Sequence, residues 1–224
     1  MNFKNIQFKF VRLVYADHNR SSVVKKKIAE VINNLGPNDI GINIGSGTTV
    51  FDNRIRNLDI FPGKNIFYIA SAENIPESND FFSLAISQEV IEHVKDPFLA
   101  TKEIYRVLKK GALFYCQVPF IIGYHPGPTD FWRFTKEGII EMLLQAGFEV
   151  VETGISVGGG TGFYRIAVEF FAILFSLPLQ RSYFFFKALF SIFLYPIKFL
   201  DIFFSFSKQK DRIPGGYYII VKKV

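Results

Sequence analysis

Apolar residues fall along this chain in two spacings. From residue 22 to residue 35 they recur on a helical period. Val24, Ile28, Val31, Ile32 and Leu35 share one face, Ser21 or Ser22 stands where an N-cap belongs, and Gly36-Pro37 ends the run. Beyond it come short, mostly apolar blocks, the pattern of strands in a largely buried sheet: 40–44, 57–60, 66–70, 81–87, 112–119, 148–152 and 217–222. Two helical patterns lie among them. One runs from Asp96-Pro97 to Lys109-Lys110-Gly111. The other runs from Thr135 to Gly147 and turns Ile139, Ile140, Leu143 and Leu144 inward. Strands alternating with helices predict an α/β fold on a mostly parallel sheet. Only about ten residues separate Gly47 from Leu58, so the first crossover helix is expected to be very short.

A stretch of about sixty residues separates the last two blocks, far more than an ordinary connection. Gly158, Gly159, Gly160 and Gly162 open it and predict a flexible entry. Two apolar segments follow, each with a narrow polar or small-residue stripe at helical spacing. The first stripe is Arg165, Glu169, Ala172 and Ser176; the second is Lys187, Ser191, Lys198, Asp201, Ser205 and Lys208. A wide apolar face around a narrow polar stripe suits a helix sunk in a membrane interface, with packing on the domain or in a dimer as the alternative. Residues 184–206 are long enough to span a bilayer, but Lys187, Lys198 and Asp201 lie inside that run and Pro196 would kink it.

Composition sharpens this picture. The 224 residues include 27 Phe, and mean hydropathy is positive at +0.21. The net charge of +6 sits at the ends. Residues 1–27 hold seven Lys/Arg against Asp17, and residues 181–224 hold eight against Asp201 and Asp211, which leaves the middle acidic. Basic ends joined to apolar helices match an anionic membrane surface better than nucleic acid, for which a basic stripe beside the site is expected. Lys4, Lys9 and Arg12 interrupt the apolar residues near the N-terminus, so a signal-peptide core is not formed. The expected location is cytoplasmic, peripheral at the inner membrane face. Cys116 lies in an apolar strand pattern and excludes an intramolecular disulfide. His18, His93 and His125 are scattered in sequence, so no metal site is expected.

The block 40–44 runs into Gly45-Ser46-Gly47-Thr48, a loop with two glycines one residue apart. Such a turn leaves backbone N–H groups bare beside a ligand. A third glycine would complete the dinucleotide fingerprint, but Val50 occupies that position, which disfavours an NAD-dependent oxidoreductase. Asp59 follows at the tip of the next block, where an acid can accept both hydroxyls of a ribose. Downstream come Ser71-Ala72-Glu73-Asn74-Ile75-Pro76, then Ser87-Gln88-Glu89-Val90-Ile91-Glu92-His93-Val94, Glu103-Ile104-Tyr105-Arg106-Val107-Leu108-Lys109-Lys110-Gly111 and Gln145-Ala146-Gly147-Phe148.

In this order and spacing the chain resembles class I S-adenosylmethionine-dependent methyltransferases of the type 11 kind. The segment 125–135, with Asp130-Phe131-Trp132-Arg133-Phe134-Thr135, resembles a DxWRFT-containing subgroup often found with cell-surface glycan biosynthesis. The resemblance implies a Rossmann-like, doubly wound, seven-stranded sheet with the apolar helical insertion before its last strand. It divides the chain into a basic segment and helix (1–38), a methyltransferase domain (39–157 with 214–224) and an insertion (158–213).

The implied cofactor is S-adenosyl-L-methionine. Asn43, Gly45, Ser46 and Gly47 would meet its methionine part, Asp59 the ribose, Ser71, Ala72 and Glu73 the adenine, and Ser87, Gln88 and Glu89 the methyl-donor end. His125, the lead base, and Asp130 are the catalytic candidates, while Trp132 and Arg133 suit a structural cluster and His93 an anchor for the turn before Asp96-Pro97. Two positions depart from the family pattern, which carries acids where Asn43 and Ser71 stand; neither offers a charge-assisted hydrogen bond. The expected activity is O-methylation of a small-molecule or lipid-linked, glycan-related acceptor. The alternatives are a quinone or lipid methyltransferase and a membrane-bound module without catalysis.

Overall fold

The structure, a computed structural model, describes residues 21–224. The basic residues of the first twenty positions, with His18, lie outside the described residues. By its internal contacts the chain divides into two compact units: Ser22–Pro119 with His125–Gly154 and Tyr217–Val224, and Phe120–Tyr124 with Ile155–Gly216, to which Ser21 belongs.

The larger unit is built on a seven-stranded sheet. Its strands are β1 (Gly41–Ile44), β2 (Ile55–Asp59), β3 (Tyr68–Ile69), β4 (Phe82–Gln88), β5 (Leu108–Pro119), β6 (Phe148–Val157) and β7 (Gly216–Lys223), in the order β3-β2-β1-β4-β5-β7-β6. The first five pair in parallel, and the pairing among the last strands is antiparallel. This is the α/β architecture that the strand pattern predicted, in the Rossmann-like form that the resemblance implied. β1 is buried along its whole length, as a central parallel strand must be.

Helix α1 (Ser22–Asn33) lays Val24, Ile28 and Val31 on the sheet, where they join Ile55, Leu84, Ile86, Tyr115, Tyr218 and Ile220 in one core cluster. It therefore belongs to the sheet unit and not to a separate N-terminal segment. Tyr115 and Tyr218 stack there with ring centroids 6.1 Å apart. Helix α2 (Pro97–Val107) starts on Asp96, whose side chain accepts from Leu99 N, with Pro97 in the first turn. Helix α3 (Lys136–Gln145) starts on Thr135, which accepts from Gly138 N.

Three local expectations change. The connection between β1 and β2 forms no helix at all: it is a looped segment closed by turns, since ten residues are too few for a loop and a crossover helix. Lys109, Lys110 and Gly111 do not end a helix; they lie in β5, where pairing with β4 shifts register between Phe82–Leu108 and Leu84–Leu113. Leu144 is 45% exposed, and Met142 takes the inward position on α3.

The smaller unit holds α4 (Gly159–Ser176), α5 (Tyr183–Phe193) and α6 (Leu200–Phe204), with a 3-10 segment at Tyr195–Phe199. The glycine run at its entry is not a flexible linker. A Cβ on Gly158 would lie 2.2 Å from Asp201 Oδ1, and one on Gly160 would lie 2.7 Å from Ile197 O. Asp201 instead accepts from Gly160 N at 2.6 Å and from Thr161 N at 3.1 Å, capping α4 from a distant point in sequence.

The stripes are arranged inside out. Arg165, Ala172, Ser176 and Ser191 are buried, and Lys187 Nζ meets Glu169 Oε1 at 2.6 Å. Tyr164 donates to the Ser191 carbonyl at 2.9 Å. The apolar residues face outward: Phe184 is 68% exposed, Phe193 74%, Phe203 69% and Phe206 84%. No single helix among the described residues is long and apolar enough to cross a membrane. The pair Gln180–Phe193 and Tyr195–Phe204, bent by 45° at the break at Leu194, has the length and composition to do so jointly.

The Asp201 cap gives a first testable outcome. Asp201→Ala should cost roughly 1–2 kcal/mol locally and raise amide hydrogen exchange at Gly160 and Thr161 by about tenfold. Unchanged protection there would show that the cap contributes nothing.

Candidate functional site

Register at the carboxyl edge of the sheet builds the site. Asn43 pairs beside Asn57, and Ile44 lies between Leu58 and Ser87. The glycine loop, the Asp59 tip and the Ser87–Glu89 segment therefore leave the sheet side by side, where ligands of such sheets bind.

The loop after β1 is clamped from below. Asn43 Nδ2 donates to Asn57 Oδ1 at 3.1 Å and to Thr49 O at 3.4 Å, and Asn57 Nδ2 donates to Thr49 O at 3.0 Å. Asn43 is 2% exposed. A carboxylate at position 43 could donate neither of its bonds, so the amide suits its local partners. Gly45 has φ +61°, and a Cβ there would lie 2.4 Å from a Val90 methyl; Val90 fills the space that the missing side chain leaves. Gly47 has φ +53° with open space around it, and its N–H donates to Asp59 Oδ2 at 2.8 Å. Asp59 Oδ1 accepts from Phe61 N at 3.0 Å. Each oxygen of Asp59 keeps a lone pair for a further donor.

Ser71, Ala72 and Glu73 follow β3. Ser71 Oγ donates to Glu73 Oε2 at 3.0 Å, and Glu73 Oε1 accepts from Asp96 N at 2.8 Å. Glu73 thus ties this turn to the start of α2, and Ala72 is buried beside it. At the end of β4, Gln117 links both neighbours: Gln88 Nε2 reaches its Oε1 at 3.4 Å, and its Nε2 donates to Glu89 Oε1 at 3.2 Å. Glu89 adopts φ +55°, a conformation that costs energy for a residue with a side chain and that clusters at functional sites. Two buried hydroxyls close by, Ser46 Oγ and Ser87 Oγ, have no hydrogen-bond partner in the structure. A polar ligand that supplies those partners fits this edge.

The segment after β5 folds over the 3-10 turn Ile91–His93. Phe131 N and Trp132 N donate to Glu92 O at 2.8 and 3.2 Å, and Trp132 Nε1 donates to Val94 O at 3.0 Å. Arg133 grips both oxygens of Asp130, and Asp130 Oδ2 also accepts from His125 N at 2.9 Å. Burial alone would raise the Asp130 carboxyl. The Arg133 guanidinium and the His125 backbone N–H outweigh it and hold the group at about 2. Both oxygens of Asp130 are thus engaged, by Arg133 and by the His125 backbone. His125 Nδ1 stands 3.2 Å from Arg133 Nη2.

Glu92 is the residue that sequence reasoning missed. It is fully buried, and neither carboxylate oxygen has a hydrogen-bond partner. Burial, and then the charge of Glu89, push its carboxyl up to about 8. Its neighbours are His93 Nε2 at 3.5 Å and His125 Nε2 at 3.6 Å from Oε1. The histidines that look scattered in sequence are thus joined by the fold, with ring centroids 5.1 Å apart. The signal available was Glu89 and Glu92 three residues apart, directly before His93.

The sign of the Glu92 shift sets a pH dependence. The folded state keeps this proton up to about 8, whereas the unfolded chain releases it near 4.5, so stability falls as pH rises between those values. In chelator-containing buffer Glu92→Gln should flatten that slope and gain on the order of 4 kcal/mol at pH 8 relative to wild type. A variant with the wild-type slope would place the titration elsewhere.

Residues 38–116 match the family model described as a methyltransferase domain, type 11. A Mycolicibacterium smegmatis protein described as "Probable S-adenosylmethionine-dependent methyltransferase" is 26% identical over 114 residues, which are 48% of this chain and 44% of that protein. The chain thus spans less than half the length of this curated relative. Among solved structures, the [4+2]-cyclase SpnF superposes with a TM-score of 0.55 at 13% identity, covering 89% of this chain and 81% of that one. Phosphoethanolamine N-methyltransferase 2 from Haemonchus contortus, in complex with S-adenosyl-L-methionine, superposes with a TM-score of 0.54 at 14% identity over 96% of this chain and 56% of that one. Likeness at these identities establishes a shared fold. Over residues 38–116, from just before β1 into β5, the chain is similar to methyltransferase domains of the type 11 kind.

Proposed function

We propose that this protein is an S-adenosylmethionine-dependent methyltransferase that acts on an oxygen of a membrane-associated or glycan-related acceptor. One observation carries the reading: the open backbone at Gly47, the Asp59 carboxylate 2.8 Å from its N–H, and the Ser87–Glu89 segment converge at one sheet edge. Asp59 would take the ribose hydroxyls on its remaining lone pairs. Ser71 and Ala72 would border the adenine, with Glu73 holding their turn in place. Ser46 and Ser87 would turn their hydroxyls to the ligand. When bound, the cofactor supplies an electrophilic methyl group on sulfur. The chain's own part is alignment, exclusion of water and removal of the acceptor proton, for which His125, steadied by Asp130 and Arg133, is the candidate. The similarity to type 11 domains and the M. smegmatis relative support this reading.

A second reading, a module that keeps the fold without methyl transfer, is favoured by Asn43 and Ser71, which stand where the family carries acids. It is favoured also by a cyclase on the same fold. Calorimetric titration with S-adenosylmethionine separates the two. The first reading expects saturable heat in the wild type and an affinity loss of about 10–100-fold, or roughly 1.4–2.8 kcal/mol, in Asp59→Ala. No heat in the wild type would remove it.

We further place the helical unit on an anionic membrane surface, with the protein peripheral at the cytoplasmic face and a quinone or lipid acceptor as the variant of this reading. The outward Phe side chains of α5 and α6 support it: a unit that draws its ion pair inward, half-buried, and exposes its aromatic residues matches an apolar surrounding better than water. In flotation with phosphatidylglycerol-containing liposomes the full chain should rise with the vesicles. Phe193→Ser/Phe203→Ser, changed at exposed positions, should rise several-fold less. A full chain that stays with the unbound fraction would refute membrane binding.

A further inference from the structure

Glu92, His93 and His125 offer one ligand atom each, all within 4.8 Å of one another. Two separations, 3.5 and 3.6 Å from Glu92 Oε1 to the imidazole Nε2 atoms, are too long for hydrogen bonds. They are close to the donor–donor edge of a tetrahedral zinc site, about 3.4 Å for bonds of about 2.1 Å. A fully buried carboxylate with two unpartnered oxygens is costly as it stands, and a cation beside it removes that cost.

The surrounding contacts set the His93 ring for ligation and leave a carboxylate within reach of the His125 ring. His93 Nδ1 contacts the Thr129 carbonyl, which fixes the proton on Nδ1 and leaves the Nε2 lone pair toward Glu92. Asp130 Oδ2 lies 3.5 Å from His125 Nδ1, placed to become the carboxylate partner of a ligating imidazole once that nitrogen turns from Arg133 to Asp130. Two imidazoles and one carboxylate suit a first-row divalent ion of the zinc type better than magnesium or calcium, which take oxygen ligands.

We propose that Glu92, His93 and His125 form a binding site for a divalent transition-metal ion, zinc by preference, with coordination positions left open. The site stands independently of the methyl-transfer reading. Where that reading also holds, His125 serves as a ligand in place of a base: the open positions would receive the acceptor's hydroxyl, and the ion would ease loss of its proton to water near neutral pH.

The test uses tag-free full-length protein stripped with chelator and titrated with Co²⁺, whose visible absorption reports direct ligation. One equivalent should bind with an intense band, and Zn²⁺ should displace it. His93→Ala, His125→Ala and the near-isosteric Glu92→Gln should each weaken binding at least about tenfold, while His18→Ala keeps the band. A wild type without the band, or an unchanged band in all three site variants, overturns the site. Titration of the same samples with S-adenosylmethionine keeps the two ideas apart. Metal binding without cofactor binding refutes only the methyltransferase reading, and cofactor binding without metal binding refutes only the metal site.

Discussion

The parallel register of β1 between β2 and β4 is the constraint on which the candidate site depends. A strand buried on both faces has little freedom to slide, because a one-residue slip reverses every side chain. Asn43 beside Asn57 and Ile44 beside Ser87 fix where the glycine loop leaves the sheet. The hydrogen bond from Gly47 N to Asp59 then follows from the pairing and needs no further device. The amide pair under Thr49 adds stiffness from below, in a place too buried for an unpaired charge.

A second principle governs the polar groups behind that edge. Asp130 and Glu92 are both buried acids, yet their surroundings drive them in opposite directions. Asp130 has a guanidinium across both oxygens and stays ionised. Glu92 has imidazoles beyond hydrogen-bond reach and an acid nearby, and its proton is held. Titratable groups that their surroundings push in opposite directions are candidates for acid and base roles. The helical unit follows the opposite logic to the sheet unit: its ion pair and buried serines hold the helices together, and its aromatic side chains face away from them.

Much of this was legible in the residues. Short apolar blocks announced the strands, and Gly45, Gly47 and Asp59 announced the sheet edge, the glycines because the backbone there takes positive φ and the acid because it stands at a strand tip. The stripe from Arg165 to Ser176 was legible as a stripe, but not as an inward one, because periodicity gives the width of a face and not its partner. The glycines at 158–160 read as slack because their reason, the carboxylate of Asp201, lies some forty positions away in sequence. The meeting of His93 with His125 was hidden for the same cause. It depends on how the segment after β5 hooks onto the Glu92 carbonyl through Phe131 and Trp132, a tertiary contact with no local signature. Glu73 was readable as an acid near adenine or as a cap; its bond to Asp96 N engages one of its oxygens as a cap.

The Val90 methyls that occupy the vacancy at Gly45 have an evolutionary corollary. Val90 directly precedes the turn that carries Glu92 and His93. Any lineage that enlarges residue 45 must first shrink residue 90, and in doing so it loosens the seat of the acid and the imidazole. The glycine loop and the turn that carries Glu92 and His93 are therefore inherited as one block, and substitutions at positions 45 and 90 are expected to co-vary among descendants.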